Sequence, residues 1–173
     1  MVGEELRHAR SCAGVLAALG GEARATLPKL DDVPSHEDAA PVEAVLRNVM
    51  SICCLSETVA VSLISAEYFE LEGSQIGDVL KHILADEVRH ARFGWELLTE
   101  LLPTIDEDTR ARLNAYLEVA LRHLHDHELA HLPACSQMSD NVARAGVCDG
   151  AEARKLFFET VENVIVPGLE ERG

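Results

Sequence analysis

Two short segments of the chain nearly repeat each other. Glu4-Glu5-Leu6-Arg7-His8-Ala9-Arg10 and Asp86-Glu87-Val88-Arg89-His90-Ala91-Arg92 differ only by Glu for Asp and Leu for Val. On a helix, residues three apart lie about 60° apart around the axis. Glu5 with His8, and Glu87 with His90, would therefore each turn a carboxylate and an imidazole toward one point. Carboxylate oxygens can bridge two cations while a neutral imidazole holds one, a donor set that suits a divalent transition metal such as iron. A single Glu-x-x-His is ordinary on a solvated helix face. Its duplication with matching flanks points to paired ligation.

A third acid belongs with them. Glu57 is the only charge between Arg47 and Glu67, in a stripe of Leu46, Val49, Cys53, Ala60, Ile64 and Tyr68 at helical spacing. A bare buried carboxylate costs several kcal/mol or is neutralised, so Glu57 needs a metal, a base or a strong hydrogen-bond partner, the plain alternative being a protonated core glutamate. The two motifs sit on comparable stripes: Glu5, His8, Cys12, Val15, Leu16 and Leu19 in one, and Leu80, Ile83, Glu87, His90, Gly94, Leu97 and Leu101 in the other.

Long helices must carry these positions. Apolar residues recur every three or four places, and the 6 prolines and 11 glycines fall mostly between such runs. The pattern predicts an all-α chain with helices at 2–19, 42–71, 75–102, 105–131 and 150–166 in a single domain, residues 1–102 holding the metal-binding core and 105–173 the C-terminal helices. Gly20 and Gly21 should stop the first helix, Pro41 open the second, and Ser74 cap the third, which Pro103 ends. The stretch from Glu22 to Ala40, with Pro28 and Pro34, is long enough for a crossover running the length of a bundle. The last helix, with Leu156, Phe157, Val161, Val164 and Ile165, should cover the bundle or form a dimer contact.

Composition narrows the classes. The chain has 173 residues and a formal net charge of −15, which would repel phosphate backbones and anionic lipid and so disfavours nucleic-acid and membrane-surface roles. Met1 to Arg10 lacks the apolar run of a signal peptide, which makes a cytoplasmic location the expectation. The 5 cysteines include no CxxC pair, as expected of reduced thiols. Residues 48–66 are nearly as apolar as a membrane span, but Glu57 at their middle favours a core helix.

The chain resembles the ferritin-like di-iron carboxylate proteins, whose four-helix bundle supplies a Glu from each of two helices and a Glu-x-x-His from each of the other two. The acid-Glu-x-Arg-His pattern is similar to that of acyl-carrier-protein desaturases, bacterial multicomponent monooxygenases and ribonucleotide reductase small subunits. The resemblance spans about residues 1–102. It implies Glu5, His8, Glu57, Glu87 and His90 as ligands of two iron ions, with manganese or a mixed Mn/Fe pair as alternatives, and Glu4, Arg7, Asp86 and Arg89 as the residues that hold the histidines. It further implies activation of O₂ to oxidise a small organic substrate, with an electron donor as partner. Ferroxidase and iron storage, or a metal-poor structural bundle, are the alternatives.

The sequence departs from this family in two places. The family's first ligand glutamate would lie on a helix before Glu5, so either the chain lacks that helix or another element, a second copy or a partner supplies the carboxylate. Ala60 and Val61 stand where oxygen-activating members often carry a threonine. Cys12, one turn after His8, occupies a place where such proteins carry a tyrosine or cysteine near the metal; plain core packing also accounts for it. Residues 122–131 hold four of the 8 histidines. There His127, Glu128 and His131 are candidates for the absent ligand, set against the common role of helix-end histidines in bonding the last carbonyls.

Overall fold

The computed structural model describes residues 1–24, 36–132 and 148–173. The expected crossover falls partly, and the 133–150 loop with Cys135 mostly, outside the described residues. Among those described there are helices and no strands. The helices are α1, Val2–Ala18; α2, Pro41–Glu70; α3, Gln75–Leu101; α4, Glu107–His131; and α5, residues 150–170.

The punctuation acts as expected. Pro41 occupies the first turn of α2, where its missing N–H costs nothing. Ser74 Oγ accepts the Gly77 amide at 3.0 Å to cap α3. A short 3₁₀ turn, Leu102–Thr104, ends that helix at Pro103. Gly20 takes φ +81° just past α1, a conformation in which a Cβ is strained.

Helix α2 is the hub, packing against α3, α4 and α5. Leu46, Val49, Met50 and Cys54 meet Leu98, Leu102 and Leu113 in one core cluster; Leu55 and Val59 meet Ala120, Leu124, Phe157 and Ile165 in another. By length and composition alone α2 could cross a membrane. Its apolar residues here form the centre of the helical core.

Three features depart from the sequence expectation. The middle of α2, Val49–Ser56, winds as a π-helix. The consecutive residues Cys53, Cys54 and Leu55 are all buried there, Cys53 against Gly94 and Cys54 and Leu55 in the two separate core clusters, because neighbouring helices surround this part of α2. Ser56 Oγ donates to the Ser51 carbonyl at 3.1 Å, taking up one acceptor of the loosened turn. Helix α5 likewise continues through a π turn, Val161–Ile165, and runs on past Pro167 to Glu170; Phe157 and Ile165 are buried beneath it while Val164 is exposed.

The third departure is α1, which buries no residue and makes its main contacts with α3. Leu16 and Leu19, expected on an inward stripe, are 42% and 57% exposed. Of the stripe read from the sequence, only His8 and Val15 are partly covered.

Candidate metal centre

Helices α1, α2 and α3 bring the two motifs and Glu57 together. Ligand atoms of Glu5, Glu57, Glu87 and His90 all lie within 4.8 Å of one another. His8 completes the set, with Nδ1 3.1 Å from Glu87 Oε1 and 3.4 Å from Glu5 Oε2. His90 Nδ1 lies 2.8 Å from Glu87 Oε2, 3.5 Å from Glu5 Oε1 and 3.7 Å from Glu57 Oε1. The five ligands expected from the sequence therefore converge.

The flanking residues hold the rings reciprocally. His8 Nε2 donates to Asp86 Oδ2 at 3.0 Å, and His90 Nε2 donates to Glu4 Oε2 at 2.9 Å, so the acid before each motif grips the histidine of the other. Arg89 bonds both Asp86 and, at 3.2 Å, Glu4; Arg7 reaches Asp86 at 3.4 Å. A second ring nitrogen tied to a carboxylate fixes both tautomer and orientation. Held this way through Nε2, each ring turns its Nδ1 toward the carboxylates.

That arrangement is electrostatically incomplete. His90 Nδ1 lies 2.8 Å from a carboxylate oxygen that accepts only when ionised, and buried His8 Nδ1 has no hydrogen-bond partner. A proton or a cation must lie between such atoms. Glu57 responds by taking up a proton: burial, followed by its hydrogen bond with Glu87 and repulsion from Glu87 and Glu5, pushes its pKa up to about 8. Burial alone would lower the His8 pKa, but the bond to Asp86 and the charges of Glu87 and Glu5 raise it. Glu4 is held at about 2 by hydrogen bonds from the Met1 amine and His90, and Asp86 is held low mainly by His8. The acids gripping the rings thus stay ionised, while an inner one gives up its charge for want of a counter-ion. A divalent cation in the cluster satisfies the orphaned Nδ1 and allows Glu57 to ionise, so these residues fit a metal.

Local packing explains the convergence. Gly94, one turn beyond His90, lies directly on Cys53, one turn before Glu57; a Cβ there would collide with the Cys53 side chain and come within 3.0 Å of its backbone carbonyl carbon. This close approach sets the spacing between the Glu57 and His90 helices. The signal in sequence was a glycine inside a helical apolar stripe, a choice that costs about 1 kcal/mol relative to Ala unless packing requires it. Trp95 Nε1 donates to Thr58 Oγ1 at 3.0 Å, a second tie between the same helices, while Arg172 stacks on the indole 5.0 Å from its centroid.

Other candidates lie elsewhere. Cys12 is exposed on α1 and does not join the cluster, because that helix buries no residue. His127 and His131 are exposed on α4, and Glu128 is partly buried there; none belongs to the converging group, since α4 packs on α2 away from α1. Among the described residues no fourth carboxylate joins Glu5, Glu57 and Glu87. Glu5 is 51% exposed, so the cluster opens to solvent on the α1 side, whereas Glu87 and His90 are 7% and 5% exposed. Burial pushes the thiols of Cys53 and Cys54 up to about 11 and 12, which makes them packing residues and not nucleophiles.

Comparison with protein-family models, curated proteins and solved structures finds no match to this chain.

Proposed function

We propose that this chain is a ferritin-like di-iron carboxylate protein that uses O₂ to oxidise a small organic substrate. The reciprocal grip of Asp86 on His8 and Glu4 on His90 carries the reading: it presents two imidazole Nδ1 atoms to three carboxylates, a donor set for two cations of the iron or manganese type. Glu5 and His8 would hold one ion, Glu87 and His90 the other, with Glu57 between them. Two ferrous ions held by these residues would supply the electrons for reduction of O₂. The chain's own part is to keep the imidazoles in one tautomer, supply three negative charges in a partly dry pocket, and carry on Glu57 a proton that metal loading displaces. An external electron donor would return the ions to the ferrous state.

Reconstitution with Fe(II) tests the assignment. Binding of close to two irons per chain, an oxo-bridged near-ultraviolet band on exposure to air, and loss of both in Glu87→Ala are expected; absence of iron binding, or retention of both ions in Glu87→Ala, would refute it.

A second reading, oxidation of ferrous ions as cargo, is favoured by the exposure of Glu5, which opens the cluster to hydrated ions from solvent. Uptake of many irons per chain distinguishes it from dioxygen use coupled to an organic substrate.

A further inference from the structure

Helix α4 carries His123, His127 and His131 at successive four-residue intervals, all exposed. Four residues on a helix bring side chains over one another. The His127 and His131 ring centroids are 4.3 Å apart and those of His123 and His127 6.1 Å, with interplanar angles of 38° and 32°. Side-by-side imidazoles at this spacing can converge on one ion through bonds of about 2.0–2.1 Å. The His131 ring is also anchored for ligation: its Nδ1–H donates to the His127 carbonyl at 2.7 Å, which leaves Nε2 as the coordinating atom. His125 stands apart, against Asp126, Phe157 and Phe158.

We infer that His127 and His131, an i,i+4 imidazole pair, form a surface site for a late divalent transition cation of the Cu²⁺, Ni²⁺ or Zn²⁺ class. The donor chemistry separates it from the inner cluster. Three carboxylates and two imidazoles suit iron or manganese, whereas an imidazole-only set suits copper, nickel and zinc. The site is independent of the di-iron reading, because it shares no residue with that cluster. It needs no conformational change of the backbone, only rotation of exposed side chains.

Copper titration of the full chain, followed by electron paramagnetic resonance and calorimetry at pH 7.5, tests the inference. Because copper also suits the inner donors, the titration is read in a Glu87→Ala/His90→Ala variant, where the expected result is one Cu²⁺ per chain with hyperfine structure from two nitrogens. In that background His127→Ala and His131→Ala should each weaken this binding about 100-fold, as expected when a chelate is reduced to fewer donors. Both positions are exposed and alanine favours helix, so circular dichroism should show the fold unchanged. Undiminished copper binding with either histidine replaced, or absence of the signal in Glu87→Ala/His90→Ala, would overturn the inference. Failure of the di-iron cluster to bind iron would leave this result untouched.

Discussion

Glu57→Gln should make the metal-free protein more stable at neutral pH while destroying its iron binding. The native state holds the Glu57 proton up to about pH 8, whereas the unfolded chain releases it near the ordinary value of 4.5. Between these values the folded protein binds more protons, so stability falls as pH rises, by about 1.4 kcal/mol per pH unit. The penalty reaches about 3 kcal/mol at pH 7 and about 5 kcal/mol above pH 8. Glutamine keeps the shape and a hydrogen bond toward Glu87 but has no proton to lose. His8, also raised by its acidic neighbours, gives both proteins a slope of the same sign, which cancels in the difference. Urea unfolding of chelator-treated wild type and Glu57→Gln from pH 4.5 to 8.5 measures it: the two should nearly coincide at the acid end and diverge with pH, the variant being the more stable. A variant less stable than wild type at pH 8, or a difference independent of pH, would refute the argument that Glu57 is a strained, charge-poor ligand position.

Three further outcomes follow from the geometry. Loading Fe(II) at pH 7 should release about one proton per chain as Glu57 ionises, measurable in weakly buffered solution, and the release should shrink above pH 8. Gly94→Ala should destabilise the protein by about 1–3 kcal/mol through overpacking on Cys53 and lower iron stoichiometry by displacing α3 from α2; thermal unfolding and metal analysis report both. Asp86→Asn or Glu4→Gln should weaken metal binding about 10–100-fold without removing a ligand, because the ring that each acid orients loses its fixed tautomer; competition with a calibrated chelator gives the constants.

The site was legible because it is duplicated: matching flanks around Glu5 and Glu87 made the pairing visible before any contact was known. Glu57 stood out as a lone acid in an apolar run. The residues that position these groups were harder to read. The π-helical Val49–Ser56 leaves no mark that a helical period reveals, since its consecutive buried residues look like any apolar run. Gly94 is a single glycine whose meaning depends on Cys53, forty-one residues earlier in the chain. The stripe on α1 gave the direction of its apolar face but not how much of that face is covered, because amphipathicity records a preference and not a partner. The same limit hid the buried Glu43. Its hydrogen bond from Arg47 at 2.6 Å is an i,i+4 pair readable in sequence, but the one from Arg112 at 2.8 Å joins α2 to α4. Burial alone would raise the Glu43 pKa, but the two arginines hold it below the usual carboxylate range. Its contribution to stability is therefore present at neutral pH and lost as pH falls through that lowered value. Glu43→Gln should cost about 1–3 kcal/mol at pH 7 in chemical unfolding, since the charge-assisted bonds from Arg47 and Arg112 lose their anion while Asp38, 3.0 Å from Arg47, still compensates that guanidinium.

On the proposed reading the cluster holds two cations. An anomalous-difference map from crystals of iron-reconstituted protein, collected on both sides of the iron edge, tests it most directly. Two peaks are expected, one beside the Nδ1 of His8 and one beside the Nδ1 of His90. No peak among Glu5, Glu57 and Glu87, or iron found only on the α4 histidines, would contradict it.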